Sequence, residues 1–262
     1  MFHFIFPSGV KPTVPFPMFD DQVSALVEAG FTVSAFPDNV LSGRHDIPRL
    51  PADKHVVYRG WMLLPRQYEN LSVAILARDS TPYVPAKEYV LAHYLPNWYP
   101  FIRDLTPTTR FLPDNSDFEE GLKGLPGPFF VKDHVKSLKE ESFVDNPAGV
   151  KEVVDKMRSQ KGRIEGGVCV RNVENFIPDT ERRYFVVDGT PYSSDASPAP
   201  EIVAVCSRRI PSRFFSVDVA KRDDGVDRVV EIGDGQVSDL VGWDPANFAA
   251  IWKNVKRPAG TA

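Results

Sequence analysis

The sequence predicts an α+β chain of two lobes. Residues 2–36 alternate strand, helix and strand, whereas Gly167 to Ile232 is mostly strand-forming. An alternating region set apart from a strand-rich one marks this class. At 262 residues the chain can hold one large domain or two lobes, since domains run to about 100–200 residues. An N-terminal α/β lobe over residues 1–105 and a second domain over residues 106–262 are expected.

In chain order, the continuous apolar run Phe2 to Phe6 reads as a buried strand. Asp20 to Glu28 carries Val23, Leu26 and Val27 at helical spacing and stops at Gly30, and Phe31 to Phe36 returns as a strand. A strand-helix-strand order implies parallel pairing. His55 to Tyr58 is a further strand that ends at Arg59-Gly60-Trp61. Ala86 to Leu105 is helical but interrupted at Pro96 and Pro100, so two short helices or one kinked helix are expected. A strand over Thr108 to Leu112 and a helix over Asp117 to Leu125 follow; Pro126-Gly-Pro then breaks the chain before the strand Phe129 to Lys132. Asn146 as cap and Pro147 in the first turn open a helix carrying Val150, Val153, Val154 and Met157. Strands are expected over Gly167–Val173, Arg183–Val187, Glu201–Ile210, Phe214–Val219 and Arg228–Ile232, with a turn at Asp188-Gly189. Asp244-Pro245 opens a last helix that buries Phe248, Ile251, Trp252 and Val255.

Composition narrows the function classes. A hydrophobic share of 42% with 25% charged residues is that of an ordinary globular protein, and 24 prolines imply many loops. The net charge of −4 counts against a general nucleic-acid binder, although a local basic cleft stays compatible with it. Cys169 and Cys206 each lie in an apolar run and read as buried reduced thiols, because a disulfide framework or cysteine metal site needs more cysteines or closer spacing. The N-terminal apolar run is short and lacks a basic leader, and no later run reaches membrane-spanning length. A cytoplasmic protein without membrane partners is expected.

Chemistry is signalled first by acids on strands. Asp218 shares a face with Ser216, opposite Phe215, Val217 and Val219, and Glu231 points away from Val230 and Ile232. Carboxylates crowded into one space need a cation between them, and a hard divalent ion with oxygen ligands, Mg2+ above all, serves that purpose. The alternative is a solvated hairpin face. Lys132 ends an apolar strand and Lys136 follows in a loop with His134, Ser137 and Lys139, so two ammonium groups and loop amides could cradle a polyphosphate. No Gly-x-x-x-x-Gly-Lys is present, which excludes a P-loop. Glu181 and Arg183 share one strand face, and Arg208-Arg209 repeat the theme on the next expected strand. Lysines, arginines and carboxylates recurring along one segment suit the neutralisation of a triphosphate.

Residues 106–236 resemble the ATP-grasp superfamily, near small ATP-grasp domain proteins similar to RimK-type ligases, with a pre-ATP-grasp α/β lobe ahead. Pro107-Thr-Thr109 resembles the Pro-x-Thr strand start, and Pro128 to Lys132 the strand whose lysine contacts nucleotide phosphates. Asp133 to Lys139 resembles the flexible phosphate lid, which holds Lys136. Val168 to Val173 resembles the hinge strand that meets adenine, with Glu174 as a ribose acid. Glu181-Arg-Arg183 resembles the Glu-x-Arg strand, and Asp218 and Glu231 the pair that holds Mg2+. The family's Glu-x-Asn metal motif is broken by Gly233, so Asp234 or Gln236 is expected as a further ligand; Lys87 is the candidate for the first nucleotide lysine.

The resemblance implies two α/β subdomains gripping ATP. It also implies an ATP- and Mg2+-dependent ligase that activates a carboxylate as an acyl-phosphate for an amine or similar nucleophile, on small-molecule or peptide substrates. Arg183 and Arg209 are assigned to charge on the transferred phosphoryl group and Arg59 to the acceptor carboxylate. An ATP-binding module without turnover, for which the missing asparagine speaks, and an enzyme modifying nucleic acid are the alternatives. The sequence carries no signal for oligomeric state.

Overall fold

Strand β1 (Phe2–Ser8) is buried at every position, as a run apolar on both faces requires. In the computed structural model, which describes residues 2–9, 11, 13–43, 47 and 50–255, β1 pairs in parallel with β2 (Thr32–Pro37) and with β3 (His55–Tyr58). Strand β4 (Thr81–Pro82) extends this sheet in the order β2-β1-β3-β4. Parallel neighbours need crossovers. Helix α1 (Asp20–Glu28) supplies the one between β1 and β2, and α2 (Pro65–Leu76) the one between β3 and β4. Helix α2 has no counterpart among the expected elements. It buries Tyr68, Leu71, Ala74 and Ile75, but Val73 and Leu76 face solvent, which blurs its apolar period.

These elements belong to one of two compact units, made of residues 1–92, 182–217 and 233–262; the other comprises residues 93–181 and 218–232. The break expected at residues 105 and 106 falls inside the second unit. The first unit is closed by helix α8 (Pro245–Ile251), after which the Trp252 ring packs edge-on against Phe2, Phe4 and Tyr83 at centroid distances of 5.2, 5.3 and 5.4 Å.

Strands β9 (Arg182–Val187) and β10 (Thr190–Tyr192) form a hairpin. Asp188 and Gly189 make its two-residue turn at φ 45° and 74°, the left-handed pair that matches strand twist. Residues 201–209, expected as a strand, instead form helix α7 (Glu201–Arg209). Its β-branched composition pointed to a strand, but Val203, Cys206 and Ile210 are buried at helical spacing, with Glu201 in the first turn and Arg208 and Arg209 in the last, complementing the helix dipole.

The second unit holds an antiparallel sheet, order β5-β8-β6-β7, built from β5 (Thr109–Leu112), β6 (Phe129–Asp133), β7 (Phe143–Val144) and β8 (Val168–Asn172). The stretch before it breaks into α3 (Ala86–His93) and α4 (Leu95–Ile102), the two-helix outcome. Helix α5 (Phe118–Gly121) is shorter than expected; Asp117 caps it by accepting from the Glu119 and Glu120 amides. Helix α6 (Pro147–Lys161) starts at Asn146, whose side chain accepts from the Gly149 amide. It lays Val150, Val153, Val154 and Met157 on Val131, Val168 and Val170. Because the strands alternate, Lys132, Cys169 and Arg171 then occupy the opposite sheet face. Strands β11 (Phe214–Lys221) and β12 (Asp227–Asp234) complete a sheet ordered β10-β9-β11-β12, and the unit boundaries fall within both of them.

Met157 is fully buried in the core of the second unit. Met157→Ala is expected to destabilise that unit by about 2–5 kcal/mol, read as a lower urea midpoint.

Candidate functional site

The second unit contains a cavity of about 540 Å3, walled by Phe130, Phe143, Val173, Phe176, Ala220 and Val230 among others. That volume suits a mostly apolar site for one small ligand. Its position follows from backbone pairing at the end of β8. Phe130 pairs with Arg171, the Asn172 amide donates to the Thr108 carbonyl at 2.9 Å, and the Val173 amide donates to Pro128 at 3.1 Å. Beyond Val173 the chain runs beside the β11 hairpin, with Ile177 N to Lys221 O and Asp223 N to Asn175 O both at 2.8 Å. The Phe130 and Phe143 rings meet at 4.9 Å and give the cavity an aromatic wall.

Charge is concentrated close by. Lys132 lies two residues beyond Phe130 on the same face of β6, and its Nζ is 2.6 Å from Glu231 Oε1. The lysine side chain is 6% exposed and that of Glu231 39%. An ammonium this deep is tolerable only with a partner. Asp218 is also buried. Asp218 on β11 and Glu231 on β12 lie on neighbouring strands of one sheet. Two carboxylates of this kind are the donor set Mg2+ takes when phosphate oxygens and water complete its shell. His93, which carried no signal in the sequence, sits buried in the same electrostatic field. Burial pushes its imidazole down to about 4; Lys136 and Lys132 push the same way, while Glu231 and Asp133 oppose.

Other residues are held differently from expectation. The segment after β6 is a pinned turn: Asp133 Oδ1 accepts from the Val135 amide at 2.8 Å and the Lys136 amide at 2.5 Å, and Lys132 and Ser137 form a bridge. Glu174 lines the cavity, but both its oxygens engage Arg228, at 2.8 Å each. Glu181 also lines the cavity. Arg171, absent from the sequence expectations, donates from Nη1 to Val230 O and from Nη2 to Thr106 Oγ1 at 2.7 Å each; its buried Nε has no partner among the described residues.

The remaining expected residues belong to the first unit. Arg59, read as a solvated or substrate-facing charge, is buried. It donates from Nε and Nη2 to Gln22, from Nη1 to Gly235 O and from Nη2 to Ser238 O, and stands 4.6 Å from the Phe248 ring centroid. Burial pushes this guanidinium down to about 10. It is a structural cation. Asp234 and Gln236 are buried as well. The Gln236 amide bonds Tyr68 and Asp234, its carbonyl accepts from the Tyr58 amide, and Asp234 is wholly buried, its Oδ2 unpartnered among the described residues. Among the described residues no group of three or more His, Cys, Asp or Glu side chains could hold a metal. A Cβ added at Gly233 would meet Ser238 Oγ at 2.8 Å and Ser216 Oγ at 3.0 Å. Arg183 is half-buried and donates to Asp239 O, Arg209 is exposed on α7, and Lys87 lies in the first turn of α3.

The apolar cavity and the Lys132–Glu231 pair thus both belong to the second unit. Solved structures share the fold. A D-cycloserine synthetase, DcsG, is 12% identical with a TM-score of 0.61, covering 96% of this chain and 98% of that one. The ATP-grasp ligase PsnB, complexed with precursor peptide PsnA2 and AMPPNP, is 10% identical with a TM-score of 0.61 and 95% coverage of both chains. A RimK domain ATP-grasp protein from Sphaerobacter thermophilus DSM 20745 is 15% identical with a TM-score of 0.58, over 96% of this chain and 99% of that one. The family model of an ATP-grasp domain, the third family of its clade, matches residues 119–255, more than half of the chain, and the chain belongs to that ATP-grasp family. No curated protein matches it. Among the described residues no helix is long and apolar enough to cross a membrane.

Burial pushes the Asp234 carboxyl up to about 8, although bonds from Gln236 and the charge of Arg59 pull the other way. The folded chain therefore keeps a proton that the unfolded chain releases near about pH 4. Its contribution is complete below that pH and is lost as pH rises through about 8. Asp234→Asn is expected to remove a stability slope of up to about 1.4 kcal/mol per pH unit between these limits, measured by urea unfolding at several pH values. Parallel profiles for the two proteins would contradict the assignment.

Proposed function

We propose that this protein is an ATP- and Mg2+-dependent ligase that activates a carboxylate as an acyl-phosphate for attack by an amine or similar nucleophile, with amino acids or peptides as substrates. The observation that carries the reading is the ion pair of buried Lys132 with Glu231, on the strands that also bring Phe130 and Val230 to the cavity wall. A deep lysine beside an aromatic slot matches what a nucleotide demands, an apolar seat for the base and fixed positive charge for its phosphates. The peptide class is supported by the complex of the PsnB neighbour with its precursor peptide, and the small-molecule class by the cycloserine synthetase.

In this reading Phe130, Phe143 and Phe176 enclose the base and Lys132 steadies the phosphates. Asp218 and Glu231 would hold Mg2+, which neutralises charge on the β- and γ-phosphates when bound. A substrate carboxylate oxygen attacks the γ-phosphorus as the bond to the β-bridging oxygen breaks and ADP leaves. The amine nitrogen then attacks the acyl carbon, phosphate departs with the electrons of the C–O bond, and the proton lost by the nitrogen leaves with the phosphate or to water. Exposed Arg209 and half-buried Arg183 are assigned to charge on the phosphoryl group and the tetrahedral adduct. The buried, unbridged thiols Cys169 and Cys206 agree with a reducing cytoplasm.

ADP release from Mg-ATP across a panel of amino acids and peptides tests the reading. Asp218→Asn is expected to lower the rate by more than about 100-fold while the fold persists, and undiminished turnover would remove the metal assignment. Glu231→Gln should lose turnover and stability together, since it strips Lys132 of its counterion. The loss should be smaller than the about 3–5 kcal/mol of a fully buried pair, because Glu231 is partly exposed. A second reading, a nucleotide-binding module without turnover, is favoured by the crowding at Gly233. ATP binding without ADP release on any substrate would support it.

A further inference from the structure

We propose that Glu174, on the wall of the nucleotide cavity, is a positioning residue clasped by Arg228 and Arg222, and not a ligand of the ribose. The inference rests on the nucleotide site proposed above and concerns how its wall is held.

Glu174 Oε2 lies 2.8 Å from Arg228 Nε, and Oε1 lies 2.8 Å from Arg228 Nη2. This is the two-pronged geometry in which guanidinium and carboxylate bind most strongly. Both side chains are 14% exposed, so the pair escapes the screening that makes surface ion pairs weak. Arg222 adds a second cation, its Nη1 at 3.7 Å from Glu174 Oε2, while its Nη2 holds Asp224 at 2.6 Å on the hairpin tip. The third nitrogen of Arg228 donates to Asp104 O at 2.8 Å, which ties β12 to the chain ahead of β5.

The backbone is fastened at the same place. Phe176 bridges Arg222, Asp223 N donates to Asn175 O, Ile177 N donates to Lys221 O, and Asn175 Nδ2 reaches Asp223 Oδ2 at 3.3 Å. Residues 174–177 are thus zipped to the β11–β12 hairpin with the Glu174–Arg228 fork at one end. Those residues form a wall of the cavity to which Ala220 and Val230 of the hairpin also contribute. A ribose hydroxyl is a neutral donor. At Glu174 it would have to share oxygens that each already accept a charge-assisted bond from Arg228, with Arg222 beside Oε2, so the carboxylate stays with its arginines and shapes the wall.

The test compares wild type, Glu174→Gln, Arg228→Lys and the double variant. Calorimetry gives Kd for Mg-ATP and for Mg-2′,3′-dideoxy-ATP, and hydrogen exchange follows the amides of residues 173–177 in nucleotide-free protein. Each single variant should weaken both nucleotides equally, by roughly tenfold, with the double variant no worse than either alone. Exchange of those amides should accelerate in both single variants. Selective loss of the preference for ATP over the dideoxy analogue in Glu174→Gln, with Arg228→Lys binding like wild type, would make Glu174 a ribose ligand and overturn the proposal. Unchanged exchange in both variants would overturn it as well. If wild type binds neither nucleotide, the nucleotide site itself fails, while the exchange data still decide whether the clasp exists.

Discussion

A lysine ammonium with almost no access to water has to be answered by a negative charge, and in the second unit Glu231 answers Lys132 at 2.6 Å. Much of that unit can be understood as the frame that keeps the two groups in register. Helix α6 covers one face of the sheet with valines and Met157, which leaves the opposite face of β6 and β8 to Phe130, Lys132, Cys169 and Arg171. Arg171 is tied to Val230 O beside Glu231, so β8 and β12 are coupled through a second cation. Burial disfavours a further cation here, Lys136 and Lys132 add to the cost against the pull of Glu231, and His93 accordingly holds its proton poorly.

The first unit solves its buried-charge problem by other means. Among the described residues no carboxylate is bonded directly to Arg59. Backbone carbonyls, the Gln22 amide and the face of Phe248 surround it instead. Next to it in space, the segment Asp234 to Ser238 is threaded by Tyr58, Tyr68, Ser216 and its own side chains. A charge hydrogen-bonded through all three nitrogens in this way fixes backbone position but has little left to offer a substrate. Polar residues in the same short stretch of sequence thus serve opposite ends: Glu231 keeps a partly exposed carboxylate, and Asp234, three residues on, is sealed in.

Much of the fold was legible because its strong signals are local. The apolar run of β1, the Asn146-Pro147 helix start and the Asp188-Gly189 turn each carry their structure in a few residues. Helix α7 was not, because Ile202, Val203 and Val205 favour a strand, and what decides for a helix is the burial of Val203, Cys206 and Ile210 on one side. Within the site, Lys132 and Glu231 were visible as charges interrupting apolar runs, and the structure joins them. The part played by Arg171, Arg228 and His93 was invisible, since each depends on long-range packing: Arg171 on Thr106, Arg228 on Glu174 and Asp104, His93 on the field of distant strands. Arg59 misled for the same reason, because an arginine at a strand end carries no mark of the chain segments that will cover it.

Calorimetric titration with a non-hydrolysable ATP analogue, with and without Mg2+, in wild type and in Lys132→Met, bears most directly on the claim that the Lys132–Glu231 pair waits beside a nucleotide-phosphate site. Saturable binding to wild type is predicted, strengthened at least about tenfold by Mg2+ and sharply weakened by Lys132→Met. Binding indifferent to both the metal and the lysine, or no binding at all, would contradict the claim.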